Sequence, residues 1–131
     1  MGDKRADRDE FPAAPYAYDG LDRIFHEKAR LGIVSSLAGY DEGLSFSDLK
    51  SSCGLTDGNL NRHLQVLEEA SYVQIAKRLA GKRPQTRCRL TAEGRARFLD
   101  YLAVLEAALQ QATRAATRDG TLTRVPGNRS P

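Results

Sequence analysis

Between Asp57 and Gln65 the chain reads DGNLNRHLQ, a run of amide, guanidinium and carboxylate side chains interleaved with leucine. With Leu60, Leu64 and Leu67 turned toward a core, a helical step of about 100° per residue puts Asp57, Gly58, Asn61, Arg62 and Gln65 on one exposed face. Amide and guanidinium groups are the side chains that read base edges in the major groove, arginine favouring guanine and asparagine or glutamine favouring adenine. They gather in the first half of the segment, the part a recognition helix inserts, where free N–H groups also meet phosphate. Thr56, Asp57, Gly58, Asn59, Asn61, Arg62 and Gln65 are therefore the candidate reading residues. Gly58 weakens a helix by about 1 kcal/mol against alanine, which suits a position where a sugar-phosphate backbone must come close. Asp57 fits less well, since its carboxylate repels phosphate unless it serves in capping or accepts from a cytosine amine.

A second set of charges follows. Lys77, Arg78, Lys82, Arg83, Arg87, Arg89, Arg95 and Arg97 stand against a single acid, Glu93. Lys77, Arg78, Lys82, Arg83 and Arg87 flank or occupy a segment punctuated by Gly81 and Pro84, suited to phosphates or a minor groove. They would supply affinity more than sequence choice, and the spacing leaves open which of them share a face. About six such contacts would give a salt slope near −5.

Other chemistries find less support. His26, His63, Cys53 and Cys88 are the soft metal ligands, and no two have local spacing of the C-x₂-C or H-x₃-H kind, so no metal is expected. The two cysteines read as small packing residues, His63 as a histidine packed beside Leu60 and Leu67. No nucleophile–base pair, paired carboxylates, G-x-G-x-x-G or Walker motif is present, which predicts neither catalysis nor a cofactor.

The elements that must position these residues can be traced in order. LDRIFHEKARLGIVSSLA places apolar residues mainly on one broad face and predicts a helix over Leu21–Ala38. LSFSDLKSSCG predicts a short helix with Ser47 as N-cap and Gly54 as its stop, preceded by a short edge strand at residues 44–46. Thr56 then caps the reading helix, which runs to about Ala70, so a tight glycine-containing turn joins the two. Tyr72–Ala76 and Thr86–Leu90 alternate like strands, joined by a long loop with a basic tip. Thr91 caps a last helix whose Phe98, Leu102, Leu105, Leu109 and Ala112 recur in heptad-like steps, widened by Leu99, Tyr101 and Ala108.

The order is helix, helix, turn, helix, hairpin, helix. It predicts a mainly α chain with a small β hairpin (α+β), a winged helix-turn-helix with added N- and C-terminal dimerisation helices. Residues 1–19 read as a flexible arm, 20–113 as the DNA-binding and dimerisation domain, and 114–131 as a disordered tail. The last helix carries more apolar surface than a small core needs. Leu21, Ile24, Phe25, Leu99, Leu102, Leu105 and Leu109 would line a two-fold interface setting two reading helices about 34 Å apart. A pocket between such helices, near Phe25, Tyr40 and Tyr101, would take a small-molecule effector whose identity the sequence leaves open.

With 131 residues, 40% hydrophobic and 28% charged, the chain suits one globular domain, and its net charge of +3 hints at an anionic partner. The charged N-terminus, the lack of a long apolar run and the two cysteines predict a cytoplasmic protein that does not enter membranes.

Three stretches, LDRIFHEKARLGIVSSLA, LSFSDLKSSCGLTDGNLNRHLQVLEEASYV and GKRPQTRCRLTAEGRARFLDYLAVLEAAL, resemble small winged-helix transcriptional regulators related to the MarR and ArsR classes. The resemblance covers about residues 20–110 and implies a homodimer that binds palindromic double-stranded operator DNA. It places Asp57, Gly58, Asn61 and Arg62 at positions used for base and backbone contact, and the first and last helices at the dimer interface. The cysteine-rich metal motif of ArsR-type sensors is absent from SDLKSSCGL. Where relatives usually have glycine at the end of the reading helix, this chain has Ser71, so a slightly altered exit is expected. The competing reading is a winged helix used for protein contact without specific DNA binding; such modules expose apolar or acidic surface where this chain carries basic and amide groups.

Overall fold

The computed structural model describes residue 14 and residues 16–118, so most of the expected N-terminal arm and C-terminal tail lies outside the described residues. In chain order come α1 (Lys28–Ala38), β1 (Leu44–Ser45), α2 (Phe46–Cys53), α3 (Asp57–Glu69), β2 (Val73–Ala80), β3 (Arg83–Leu90) and α4 (Ala92–Ala116). The strands form one antiparallel sheet in the order β1-β3-β2. This is the α+β winged helix anticipated from the element order. Leu21–Leu102 makes one compact unit, while the described parts of Met1–Gly20 and Ala103–Pro131 group into a second. No helix among the described residues is long and apolar enough to cross a membrane.

The first helix starts seven residues later than its periodicity suggests, at Lys28 and not Leu21. Glu27 caps it, its carboxylate accepting from the N–H groups of Ala29 at 3.0 Å and Arg30 at 3.2 Å. Leu21–Glu27 is instead a folded turn, held by Asp22, whose side chain accepts from Ile24 N at 2.9 Å and whose carbonyl accepts from His26 N at 2.9 Å. This turn delivers Phe25 into the core, where it is fully buried and stacks on Tyr72 at a centroid distance of 5.1 Å. Phe98 and Tyr101 pack around the same ring at 5.3 and 5.5 Å.

α2 is capped by Ser45 and not Ser47: the Ser45 hydroxyl accepts from Asp48 N at 3.0 Å, so the last residue of β1 doubles as the cap. Gly54 ends α2 in the left-handed conformation, as expected (φ 64°). Thr56 caps α3 by accepting from Asn59 N at 3.2 Å. At the far end, Ser71 N donates to Glu68 O and Tyr72 N to Leu67 O, each at 2.9 Å, which is a Schellman motif. Ser71 itself takes the left-handed backbone this motif demands (φ 69°). The expected altered exit is therefore absent, and the serine accepts the strain that a glycine would avoid.

The hairpin is longer and tighter than the alternation suggests. β2 and β3 pair from Val73↔Leu90 out to Ala80↔Arg83, leaving only Gly81 and Lys82 as the turn. Gly81 at φ 71° in the first turn position is the requirement of a type II′ hairpin. Ala80 and Arg83 are then the hydrogen-bonded closing pair, so Leu79↔Pro84 is a non-hydrogen-bonded pair. The N–H that Pro84 lacks would have pointed away from β2, and the strand continues through it.

Thr91 caps α4, accepting from Gly94 N at 2.8 Å through its hydroxyl. The helix continues to Ala116, three residues past the expected domain edge at residue 113. Its Gly94 is pressed against β2's approach: a Cβ there would lie 2.2 Å from the Tyr72 carbonyl oxygen.

Candidate nucleic-acid interface

α3 buries Leu60, Leu64 and Leu67, each 2% exposed or less, so its rotation about its axis is set by three leucines. Thr56, Asp57, Gly58, Asn59, Asn61, Arg62 and Gln65 are all exposed in consequence. Arg62 donates through both terminal nitrogens to Asn59 Oδ1, at 3.4 and 3.2 Å, one helical turn earlier. The guanidinium thereby lies along the first turn of the helix. Nothing lies within 4 Å of a Cβ built on Gly58, so this position is open to an approaching surface.

Asp57, awkward as a DNA contact, has a partner that local sequence does not reveal. Lys50 Nζ from α2 stands 2.8 Å from its carboxylate. The pair neutralises the one acid on the exposed start of α3, and Lys50 is a member of this surface that the sequence reading missed.

The strand register sorts the basic residues. Residues opposite one another share a face, so Gln74↔Arg89, Ala76↔Arg87, Arg78↔Gln85 and Ala80↔Arg83 line the outer face of the hairpin. Lys77 lies on the opposite face, with Ile75 and Leu79, and Lys82 occupies the turn. Small Ala76 leaves a groove of about 350 Å³ between Arg78, Arg87 and Arg89, bounded also by Glu42 and Gln74. Arg89, outside the predicted set, donates to Gln74 Oε1 at 3.1 Å. Arg95 is engaged elsewhere, donating to Ala38 O at the end of α1 and to Asp41.

His63 and Cys88 are built into packing, whereas Cys53 is half-buried and His26 is exposed. His63 is 12% exposed, with Nδ1 3.3 Å from Arg30 Nη1 and 4.0 Å from Glu27 Oε1. Burial lowers its pKa below the usual 6.5, against an upward pull from Glu27. His26 Nδ1 lies 2.6 Å from the Tyr101 hydroxyl. Cys88 is fully buried, and burial pushes its thiol up to about 11, far from a reactive thiolate. No group of three potential metal ligands occurs among the described residues.

Of the predicted interface set, Leu99, Leu102 and Leu109 on α4 are 58%, 37% and 59% exposed, and Leu105, Leu21 and Ile24 are half-buried. Phe25 has to be withdrawn from that set, because its ring is enclosed by Tyr72, Phe98 and Tyr101 and has no surface left to offer.

Comparison with known proteins agrees with this geometry. Residues 29–109 match the family described as Winged helix DNA-binding domain. An uncharacterized protein of Methanocaldococcus jannaschii is 38% identical over 80 residues, spanning 61% of this chain and 86% of that protein. The structure of a transcriptional regulator homologue from Pyrococcus horikoshii OT3 superposes with a TM-score of 0.68 at 28% identity, over 75% of this chain and 97% of that one. MepR of S. aureus, solved as a DNA complex, shares the fold at a TM-score of 0.61 and 15% identity, over 88% of this chain and 92% of its own. The chain belongs to the winged helix DNA-binding domain family.

Proposed function

We propose that this protein is a transcriptional regulator that binds double-stranded DNA sequence-specifically as a homodimer. α3 enters the major groove, with Asn61, Arg62 and Gln65 meeting base edges and the Thr56–Asn59 turn approaching the backbone. The hairpin lies on the backbone or minor groove, with Lys77, Arg78, Lys82, Arg83 and Arg87 contributing charge. Leu99, Leu102, Leu105 and Leu109, with Leu21 and Ile24, face the second copy. The observation that carries this reading is the exposed amide and guanidinium face of α3, with Arg62 hydrogen-bonded to Asn59, beside a hairpin that carries six cations, Arg89 among them. The relative from Pyrococcus horikoshii is described as a transcriptional regulator homologue, which supports this reading.

The test is fluorescence anisotropy on duplex selected from the protein's own genome against scrambled duplex, from about 50 to 200 mM salt. A preference of about 10³ or more for selected sites, with a steep salt slope, is expected. Asn61→Ala or Arg62→Ala should relax base preference at defined positions, whereas Lys82→Ala with Arg83→Ala should weaken all sequences alike. Identical, uniform effects from the two sets would refute the division between reading helix and wing.

A further inference from the structure

The end of the hairpin carries an apolar pair that no core covers. Leu79 is 69% exposed, and across the strands from it stands Pro84, exposed as well. Both lie on the face that, nearer the body, holds buried Val73, Cys88 and Leu90. β1 reaches only as far as Arg87 along β3, so the face runs on past the body and its last pair stands free. Isolated exposed leucines are ordinary; this one is set apart by its surroundings. Lys77 follows on the same face, Lys82 forms the turn, and Arg78 and Arg83 lie on the reverse. None of these four cations is in an ion pair among the described residues.

We infer that Leu79 and Pro84 form a wedge that enters the DNA minor groove and partly unstacks one base step in each half-site. This inference rests on the proposed DNA-binding reading and deepens it. Charge complementarity decides the occupant: a ring of unpaired cations around an apolar ledge matches a groove walled by two phosphate rows and floored by base edges. Beyond β1 the hairpin is only two strands closed by a two-residue turn, and its entry needs the minor groove, about 6 Å wide in B-DNA, to be widened, which a wedge that opens a base step supplies. Leucine and proline are among the side chains that wedge base steps open from this groove. The type II′ turn and the proline ring both restrict the backbone, so the ledge is presented without ordering a loose loop. The consequence is a preference at positions that no side chain reads by hydrogen bonding. Flexible pyrimidine–purine steps, TA or CA, should be favoured where the wedge falls.

The experiment uses the full chain and the selected duplex, with 2-aminopurine placed in turn at each position flanking the α3 contact, and end-labelled duplex to report bending. With wild-type protein, fluorescence should rise severalfold at one step per half-site, and the duplex should bend. Leu79→Asn should return the fluorescence to that of free duplex and weaken binding by about tenfold, with the salt slope and the thermal midpoint unchanged because the residue is outside the core. Lys82→Ala with Arg83→Ala should flatten the slope yet keep the fluorescence rise once the duplex is saturated. Wild-type fluorescence, bend and affinity in Leu79→Asn would overturn the wedge and leave the DNA-binding reading standing. So would a change in sedimentation of the DNA-free protein in that variant, which would assign the pair to a second copy. If wild-type protein binds no duplex at low salt, the DNA-binding reading fails and the wedge with it.

Discussion

Lys50 Nζ stands 2.8 Å from Asp57 Oδ1, so α2 neutralises the first residue of α3 across the turn. Both side chains are well exposed, and a pair of this kind adds at most about 1 kcal/mol to stability. Its larger effect is on what a phosphate would meet. Lys50→Ala should leave the thermal midpoint nearly unchanged but weaken binding to every duplex, because Asp57 would then present an uncompensated charge. Adding Asp57→Asn to that variant should recover most of the loss. Anisotropy titrations of the two variants decide this, and an unrecovered loss would mean that Lys50 itself contacts DNA.

Gly58 separates stability from binding in the opposite sense. The space around it is empty, so Gly58→Ala should stabilise α3 by about 1 kcal/mol through helix propensity. The added methyl group stands where a backbone or base edge is proposed to approach, so the same variant should bind DNA more weakly. A gain in urea midpoint without loss of affinity would show that the glycine is not there to make room.

Ser71 invites the reverse substitution. Its left-handed backbone costs about 1–2 kcal/mol that glycine escapes. Ser71→Gly should raise the unfolding free energy by about 1 kcal/mol, a little less than the strain because glycine loses more entropy on folding. DNA affinity should not move, since Ser71 is at the far end of α3.

Gly94 behaves unlike Gly58 although both are helical. A Cβ at Gly94 would lie 2.2 Å from the Tyr72 carbonyl oxygen, which also accepts from Thr91 N at 2.9 Å. Gly94→Ala must push α4 from the sheet and should cost about 1–3 kcal/mol or more, overriding its gain in propensity. For a domain of this size that is a fall of roughly 4–8 °C in thermal midpoint per kcal/mol.

Acid should weaken the fold in two stages. Burial depresses the His63 pKa from 6.5, so on acidification the unfolded chain takes up this proton first and stability declines from about pH 6.5 downward. Glu27, lowered from 4.5 chiefly by accepting from Arg30 N, contributes stability that is present above that value and lost below it. Urea midpoints measured from about pH 7.5 to about 2.5 should fall in both ranges. His63→Gln should flatten the upper stage and soften the lower one, because a charged His63 helps to hold Glu27 down; an upper decline unchanged in that variant would assign it to another group.

The sequence alone determined those features whose cause lies within a few residues. The leucine spacing of α3, the Thr56 cap, the Gly54 stop and the basic hairpin were legible because helix periodicity, capping and turn geometry are local. The exposed positions of Asn61, Arg62 and Gln65 followed from the same spacing. Tertiary structure decided what depends on distant segments meeting. Leu21–Glu27 has helical periodicity, yet Glu27 starts the helix and Phe25 goes to the core because Tyr72, Phe98 and Tyr101 surround it. The basic run looked uniform until β2 and β3 came into register and Arg95 reached the end of α1. Asp57 found Lys50 only once α2 and α3 were set across their turn. A charge is read from one residue, but its partner depends on where the rest of the chain folds.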